Sequence, residues 1–191
     1  METSRLEAFS DAVIAIIITI MVLEMEVPHS SSLEALKPLV PTFITFVISF
    51  VFLGIYWNNH HHLMHAVKRV NGKILWANLH LLFWLSLFPF VTGWVGQNLF
   101  SMFPTLLYGI VLLMAAFAYH LLVITIIKSE GKRSFVSRYI GRDFKGKVTV
   151  GINIVAIIST FLSPIISMVL YLCMSLIWII PDRRIEKNLK R

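Results

Sequence analysis

Arg5 and Asp11, which are both ionisable, lie with Ser10 in the first two turns of an apolar run over residues 5–25. An ionised carboxylate is costly in lipid, and such groups in membrane spans often mark a functional site. The Ser10 hydroxyl can bond back to its own helix, but the Asp11 carboxylate cannot satisfy itself in this way. We therefore expect Asp11 to meet hydrogen-bond donors from neighbouring segments.

A histidine-rich segment, YWNNHHHLMH over residues 56–65, is the second group with the chemistry for a site. His61 and His65 are four residues apart, so they share one helix face and could ligate a metal ion. The rest of a catalytic set is missing, because His80 and His120 are isolated in the sequence. A hydrogen-bonding cluster and a proton-sensing cluster both remain open. We expect no metal site and no enzymatic activity.

The composition places these residues in a membrane protein. Of the 191 residues, 57% are hydrophobic and 14% are charged, and the mean hydropathy is +0.78. A soluble domain of this length could not cover so much apolar surface. Cys173 is the single cysteine, which excludes a disulfide within the chain and a cysteine-based metal site. Glu2 and Glu7 argue against a cleaved signal peptide, so we expect the first apolar run to be a true span.

Six apolar runs are candidates to cross a bilayer, a crossing that requires about 20 residues of helix. They lie at about 5–26, 41–64, 73–95, 104–128, 147–162 and 165–181. The last two are separated at Ser163-Pro164, because proline interrupts a helix. The prediction is an all-α membrane protein, a single domain over residues 1–191 built from six transmembrane helices.

The Lys and Arg residues predict the orientation of these helices. If both termini are cytoplasmic, Lys37 alone among the 17 Lys and Arg lies in an outer loop. This asymmetry follows the positive-inside rule. The net charge of +7 then belongs mainly to cytoplasmic segments that contact anionic lipid, and we expect no nucleic-acid partner.

The first predicted helix carries a stripe of large aliphatic side chains, which we name the aliphatic seam. At 100° per residue, its members Ile16, Ile20 and Leu23 lie within about 60° of one another. Thr19 borders the seam, and Phe9 and Arg5 extend it toward the cytoplasm. Such a stripe is by default a packing or lipid-facing surface, and the alternative is a hydrophobic constriction that gates ions in a pore. Periodicity alone does not decide between the two.

Donors for Asp11 are available where the second span ends and the third begins. In the predicted orientation, imidazole, amide and indole groups lie there at the depth of Asp11. They belong to Trp57, His60, His61, Trp76, Asn78 and His80. We predict a polar cluster that fixes span 1 against spans 2 and 3 and leaves the aliphatic seam facing the opposite way.

Three sequence blocks together resemble the transmembrane protein 175 family of potassium channels. The first is R-x-x-x-F-S-D, at Arg5, Phe9, Ser10 and Asp11. The second is W-x-x-H-H-x-L, at Trp57, His60, His61 and Leu63. The third comprises N-L at Asn78 and Leu79 and P-F-x-T at Pro89, Phe90 and Thr92. The resemblance covers spans 1 to 3 by motif and spans 4 to 6 by number and hydrophobicity.

The resemblance implies a homotetramer in which four copies of helix 1 line a central pore. It implies that the pore is narrowed by aliphatic residues that begin five positions after the motif aspartate, which here are Ile16, Ile20 and Leu23. It also implies that Thr19 assists selectivity and that the motif residues form a structural network with a histidine of span 2. The sequence has no T-V-G-Y-G filter, so a cage of backbone carbonyls is not the expected source of selectivity.

The expected function is a potassium-selective channel of the bacterial inner membrane that conducts K⁺ passively. The expected partners are further copies of the chain, the lipid bilayer and monovalent cations, with K⁺ as the permeating ion and no cofactor. The alternatives are a secondary transporter and a proton-conducting membrane protein. We find no internal repeat, and Pro89 and Pro164 do not occupy matching places in two halves, which disfavours the transporter.

Overall fold

The computed structural model describes residues 2–98, 100–131 and 144–179. Within these ranges the regular structure is helical and includes no strand. The α-helices are α1 (Thr3–Leu23), α2 (Val40–His65), α3 (Gly72–Ser86), α4 (Phe88–Gln97), α5 (Met102–Glu130), α6 (Phe144–Ser159) and α7 (Pro164–Ile179), and a 3₁₀ helix (Leu33–Leu39) precedes α2. Most of the basic loop predicted over 128–147, the basic residues after 181 and the end of the sixth predicted span lie outside the described residues.

Four helical segments in the described ranges are long and apolar enough to cross a membrane. They are α1, the 3₁₀ helix with α2, α3 with α4, and α5. The apolar parts of α6 and α7 are shorter, Val148–Ser159 and Pro164–Ile177. The chain turns over residues 160–163, and α7 begins at Pro164, where the sequence predicts the separation of the last two spans.

Local signals in the sequence account for several helix boundaries. Asn71 precedes α3, and its side-chain Oδ1 accepts a hydrogen bond from the Ile74 N–H at 3.1 Å, which satisfies a free donor in the first turn. Gly131 follows α5 with a φ of +91°, a conformation that glycine adopts without a side-chain clash. Its N–H donates to the Ile127 carbonyl at 2.9 Å, which closes the helix end.

The third predicted span is divided into two helices. Helix α3 ends at Ser86 and α4 begins at Phe88, with Leu87 between them. Pro89 has no N–H to donate to the Leu85 carbonyl, so a continuous helix would lose a hydrogen bond at this point. The apolar run over residues 73–95 predicts one continuous span, and hydropathy gives no sign of the interruption at Leu87. The two helices also differ in their main neighbours: α3 packs mainly on α1 and α5, and α4 packs on α1, α2 and α5.

A buried hydroxyl network joins three of the helices. Ser49 Oγ of α2 lies 2.7 Å from Thr92 Oγ1 of α4 and 2.9 Å from the Tyr108 hydroxyl of α5. All three residues are buried. In a bundle surrounded by lipid, interhelical hydrogen bonds between small polar side chains stabilise packing. We therefore regard this network as the polar centre of the α2, α4 and α5 assembly.

Helices α2 and α4 approach so closely at Gly96 that an added side chain is expected to destabilise the chain. A Cβ at Gly96 would overlap the backbone and side chain of Thr42. We expect Gly96→Ala to lower the free energy of unfolding by about 1–3 kcal/mol through overpacking. The measurement is thermal unfolding of the purified protein in detergent, followed by tryptophan fluorescence.

The control for this prediction is Gly54→Ala, in the middle of α2. A Cβ at Gly54 meets no atom within 4 Å, and alanine is a better helix former than glycine. We expect Gly54→Ala to leave the midpoint unchanged or to raise it slightly. Equal destabilisation by the two variants would contradict the proposed close approach at Gly96.

Candidate pore helix and its polar anchor

Helix α1 has one buried face and one exposed face. The buried side chains recur every three or four residues, as expected for one face of an α-helix, and face α2, α3 and α4. They are Leu6, Ser10, Ile14, Ile17 and Met21. The aliphatic seam lies on the exposed face: Ile16, Ile20 and Leu23 are 57%, 41% and 78% exposed in the single chain. The aliphatic seam and the buried side chains, Ser10 among them, therefore lie on different faces of α1.

A chain of buried hydrogen bonds anchors α1 to α2 and α3. The Asn78 side-chain amide of α3 donates from Nδ2 to Ser10 Oγ at 2.9 Å. On its other side, Asn78 Oδ1 lies 2.7 Å from His60 Nε2 of α2, and the carbonyl oxygen makes the ring nitrogen the donor. Ser10 Oγ itself donates to the Leu6 carbonyl at 2.8 Å. Ser10, Asn78 and His60 are all fully buried, and we name them the polar anchor.

Asp11 is not a member of the polar anchor, in contrast to the prediction from the sequence. Its Oδ1 atom is buried and has no hydrogen-bond partner in the described part of the chain. The hydrogen bond to Asn78 that was expected from Asp11 is made by Ser10. Ser10 alone was a weak signal in the sequence, because a serine hydroxyl can bond back to its own helix. The physical reason is the helical rotation of about 100° between neighbouring residues, which turns Ser10, and not Asp11, toward Asn78.

The other predicted members of the polar cluster lie outside the anchor. Arg5 is exposed and makes no ion pair with a carboxylate in the described ranges. Trp76 is 75% exposed, and within the described ranges Asp11 Oδ1 accepts no hydrogen bond from its indole. His80 accepts a hydrogen bond from the Trp84 indole on its own helix at 3.0 Å. Trp57 is exposed and stacks on His61 with 6.2 Å between ring centroids.

Glu7 is a site residue that the sequence analysis missed. Its Oε1 atom lies 2.7 Å from Nδ1 of His61 and 3.5 Å from Nε2 of His65. Glu7 lies four residues before Asp11 and within the span of the first motif, so the two side chains share one face of the helix. The position of Glu7 in the sequence was enough to indicate a site residue, because a carboxylate within the first turns of a membrane helix requires a partner.

Thr19 and Phe9 border the aliphatic seam on the exposed face. The Thr19 hydroxyl donates to the Ile16 carbonyl of its own helix at 2.9 Å, so its donor is used and its oxygen stays free to accept. Phe9, toward the N-terminal end of α1, is 51% exposed. A groove of about 440 Å³ runs beside the seam. Its lining residues are Val13, Ile16, Ile17, Ile20, Glu24, Ser86, Pro89 and Phe90.

The helices and the buried polar anchor define a class: an all-helical, multi-pass membrane protein whose first helix is held by one face. Comparison with known proteins identifies the family. The model of the endosomal/lysosomal potassium channel TMEM175 family matches residues 5–89. A potassium channel of Chryseobacterium sp. (strain P1-3) is 52% identical over 190 residues, which cover 100% of this chain and 99% of that one. The chain belongs to the TMEM175 family, as the three sequence blocks indicate.

A solved structure and an animal relative extend the comparison. The crystal structure of a lysosomal potassium-selective channel TMEM175 homolog from Chamaesiphon minutus matches with a TM-score of 0.79. The match has 26% sequence identity and covers 93% of this chain and 96% of that chain. The endosomal/lysosomal proton channel TMEM175 of Gallus gallus is 38% identical over 77 residues, which cover 34% of this chain and 15% of that protein. The family is one of ion channels and not of enzymes.

Proposed function

We propose that this chain is a potassium channel and that α1 forms its conducting surface. Membership of the TMEM175 family supports the function, together with the potassium channel that is similar over the full length. The observation that carries the role of α1 is the aliphatic seam, which stays exposed on a different face of the helix from Ser10 of the polar anchor. A membrane helix held from one side presents its other side to lipid, to another copy of the chain or to a pore.

The proposed assembly is a homotetramer of six-span chains with both termini in the cytoplasm of a bacterial cell. The four segments long enough to cross a membrane support part of this topology. Helices α6 and α7, which form a hairpin around the turn at residues 160–163, supply the remaining two spans. The positive-inside distribution of Lys and Arg supports the orientation in the inner membrane.

The proposed constriction consists of the aliphatic seam, with Ile16 at its inner end and Leu23 at its outer end. Rings of such side chains around an axis narrow a pore and oppose the entry of water and ions. Thr19 lies between Ile16 and Ile20 on the same face, and its free acceptor oxygen supplies a polar contact for a passing cation. K⁺ is a permeating ion here, and no cofactor is required.

Proton conduction is a second candidate function. It is supported by the chicken relative, whose name describes a proton channel, and by two buried atoms without hydrogen-bond partners in the described ranges, His60 Nδ1 and Asp11 Oδ1. Histidine and aspartate are typical members of intramembrane proton relays. A secondary transporter has no comparable support, because the family to which the chain belongs is one of channels.

The test is cation flux through the purified wild-type protein in liposomes of defined lipid. Efflux driven by a K⁺ gradient is compared with efflux driven by an equal Na⁺ gradient, and empty liposomes give the background. Flux that favours K⁺ supports the proposed function. Dissipation of a pH gradient at symmetric K⁺ would support the proton channel, and a saturable flux that requires a coupled ion would support a transporter.

The partly exposed carboxylate of Asp11 leads to a prediction about assembly. Its Oδ1 atom is buried within the single chain, but the residue as a whole is only partly buried, so in the proposed tetramer the exposed part of the carboxylate accepts a hydrogen bond from a neighbouring copy. Loss of a hydrogen bond to a charged group costs about 1.5–3 kcal/mol, which corresponds to at least about tenfold in an association constant. We therefore expect Asp11→Ala to shift chains from tetramer to smaller species, with little change in the K⁺ to Na⁺ flux ratio of the channels that remain.

The measurement for Asp11→Ala is the molar mass of the protein in detergent, by light scattering after size-exclusion chromatography. Glu34→Ala is the matched control, because Glu34 is exposed in the outer segment and pairs there with Lys37. We expect Glu34→Ala to assemble like the wild type. An Asp11→Ala protein that assembles normally and loses its preference for K⁺ would contradict the structural role.

A further inference from the structure

We propose that Glu7, His61 and His65 form a binding site for one divalent transition-metal ion of the zinc type. Glu7 lies on α1 and the two histidines lie one turn apart on α2. Each offers one ligand atom, and the three atoms lie within 4.8 Å of one another. The site goes beyond the proposed conduction of K⁺ and departs from the expectation of the sequence analysis, which did not pair the histidines with Glu7.

The distances between the ligand atoms are close to those that a tetrahedral ion requires. Zinc binds imidazole nitrogen and carboxylate oxygen at about 2.0–2.2 Å, so two tetrahedral ligands are separated by about 3.4 Å. Glu7 Oε1 and His65 Nε2 are 3.5 Å apart. Glu7 Oε1 and His61 Nδ1 are 2.7 Å apart, the length of a hydrogen bond, and an ion that replaces this bond requires a movement of about 0.7 Å.

The donor set selects the kind of ion. Two imidazoles and one carboxylate suit zinc and similar first-row ions, whereas calcium and magnesium prefer oxygen ligands throughout. Three protein ligands leave a fourth tetrahedral position open for water. The proposed site therefore resembles a metal site that exchanges its ion with solvent more than a structural site closed by four protein ligands.

The surrounding structure positions the ligands and leaves the site accessible. The polar anchor lies within one turn of both ligand-bearing segments, because Ser10 follows Glu7 by three residues and His60 immediately precedes His61. Trp57 stacks on the His61 ring and limits its rotation. The Glu7 side chain is 16% exposed, and those of His61 and His65 are 38% and 55% exposed, so an ion can enter from the open side at His65.

Nearby positive charges weaken the attraction for a cation without excluding it. Arg5 lies two residues before Glu7, and Lys68 and Arg69 follow His65. These three side chains belong to exposed residues, where solvent and salt screen their charges. The ligands themselves are closer to the ion position and dominate its binding.

The experiment is a titration of the purified, tag-free, metal-free protein in detergent with Co²⁺, which reports a tetrahedral site by its visible absorption. We expect saturation at one Co²⁺ per chain and displacement by Zn²⁺. Glu7→Gln and His65→Gln are expected to weaken Co²⁺ binding at least tenfold. His120→Gln is the matched control, because His120 is exposed on α5 and outside the cluster, and it should bind as the wild type does.

Two results would overturn the site: no saturable Co²⁺ absorption in the wild type, or unchanged affinity in both ligand variants. In either case the cluster is a set of polar contacts between Glu7 and the two histidines and nothing more. If Glu7→Gln does not fold, His65→Gln still decides the question, because that side chain is more than half exposed. The titration requires no ion flux, so its failure is distinct from failure of the proposed channel function.

Discussion

Replacing Ile16 by asparagine is expected to increase cation flux at least about tenfold and to reduce the preference for K⁺ over Na⁺ toward unity. In the proposed tetramer, four Ile16 side chains form the inner ring of the constriction, and their apolar surface opposes hydration of the pore. Asparagine is smaller and offers both donors and acceptors to water. A tenfold change corresponds to about 1.4 kcal/mol in the barrier to permeation, a modest amount for the hydration of four amides.

The measurement for Ile16→Asn is K⁺ and Na⁺ flux in liposomes at equal protein content. Ile154→Asn is the matched control, because Ile154 is also about half exposed (45%) but lies on α6. We expect that variant to keep the wild-type rate and ion preference. If Ile16→Asn leaves both quantities unchanged while the wild type conducts, the narrowest part of the pore lies elsewhere on the chain.

Replacing Asn78 by leucine is expected to give the largest loss of stability among substitutions of the polar anchor. Asn78 connects Ser10 of α1 to His60 of α2, so one substitution removes both hydrogen bonds. The buried His60 ring then loses the partner of Nε2, while its Nδ1 already has none in the described ranges. A buried polar group left without a partner costs about 1–3 kcal/mol. We expect the midpoint of thermal unfolding to fall by roughly 5 °C.

Thermal unfolding in detergent measures the effect of Asn78→Leu, and Asn58→Leu is its matched control. Asn58 is exposed on α2, two residues before His60, so the same change of side chain there removes no buried hydrogen bond. We expect Asn58→Leu to unfold within about 1 °C of the wild type. Equal midpoints for the two variants would show that the anchor contributes nothing measurable to stability.

Patterns that depend on sequence spacing predict much of this fold. Apolar length indicates the spans, and Pro164 indicates where α7 begins. The separation of the aliphatic seam from Ser10 follows from the helical repeat of 3.6 residues. These features are local, because each depends on the order of residues within one helix.

Contacts between helices are less accessible to sequence analysis. The choice of Ser10 over Asp11 as the partner of Asn78 depends on the rotation of α1 against α3, which no single helix determines. The same is true of Ser49 and Tyr108, which meet across α2 and α5 although 59 residues separate them in the chain. Only Thr92 of that hydroxyl network lies in a recognised sequence block.

The family resemblance predicts a contact between helices that periodicity cannot predict, but it does not identify every side chain that takes part in such contacts. It connects the motif at Ser10 and Asp11 with a histidine of span 2, and the structure contains that connection through Asn78 and His60. Glu7 and His65 lie outside the residues quoted for the motifs, so their proximity to His61 becomes visible only in three dimensions.

The interruption at Leu87 divides one membrane crossing between two sets of neighbours. The first segment, α3, packs mainly on α1 and α5 and meets α2 through the Asn78–His60 hydrogen bond, whereas the second segment, α4, packs along α2 as well as on α1 and α5. The α4 segment contacts the end of α1 near Leu23, where the Gln97 side chain donates to the Glu24 carbonyl. The α3 segment contacts the other end of α1, where Asn78 donates to Ser10. The interruption at Leu87 therefore separates the part of this crossing that holds Ser10 from the part that contacts the Leu23 end of α1.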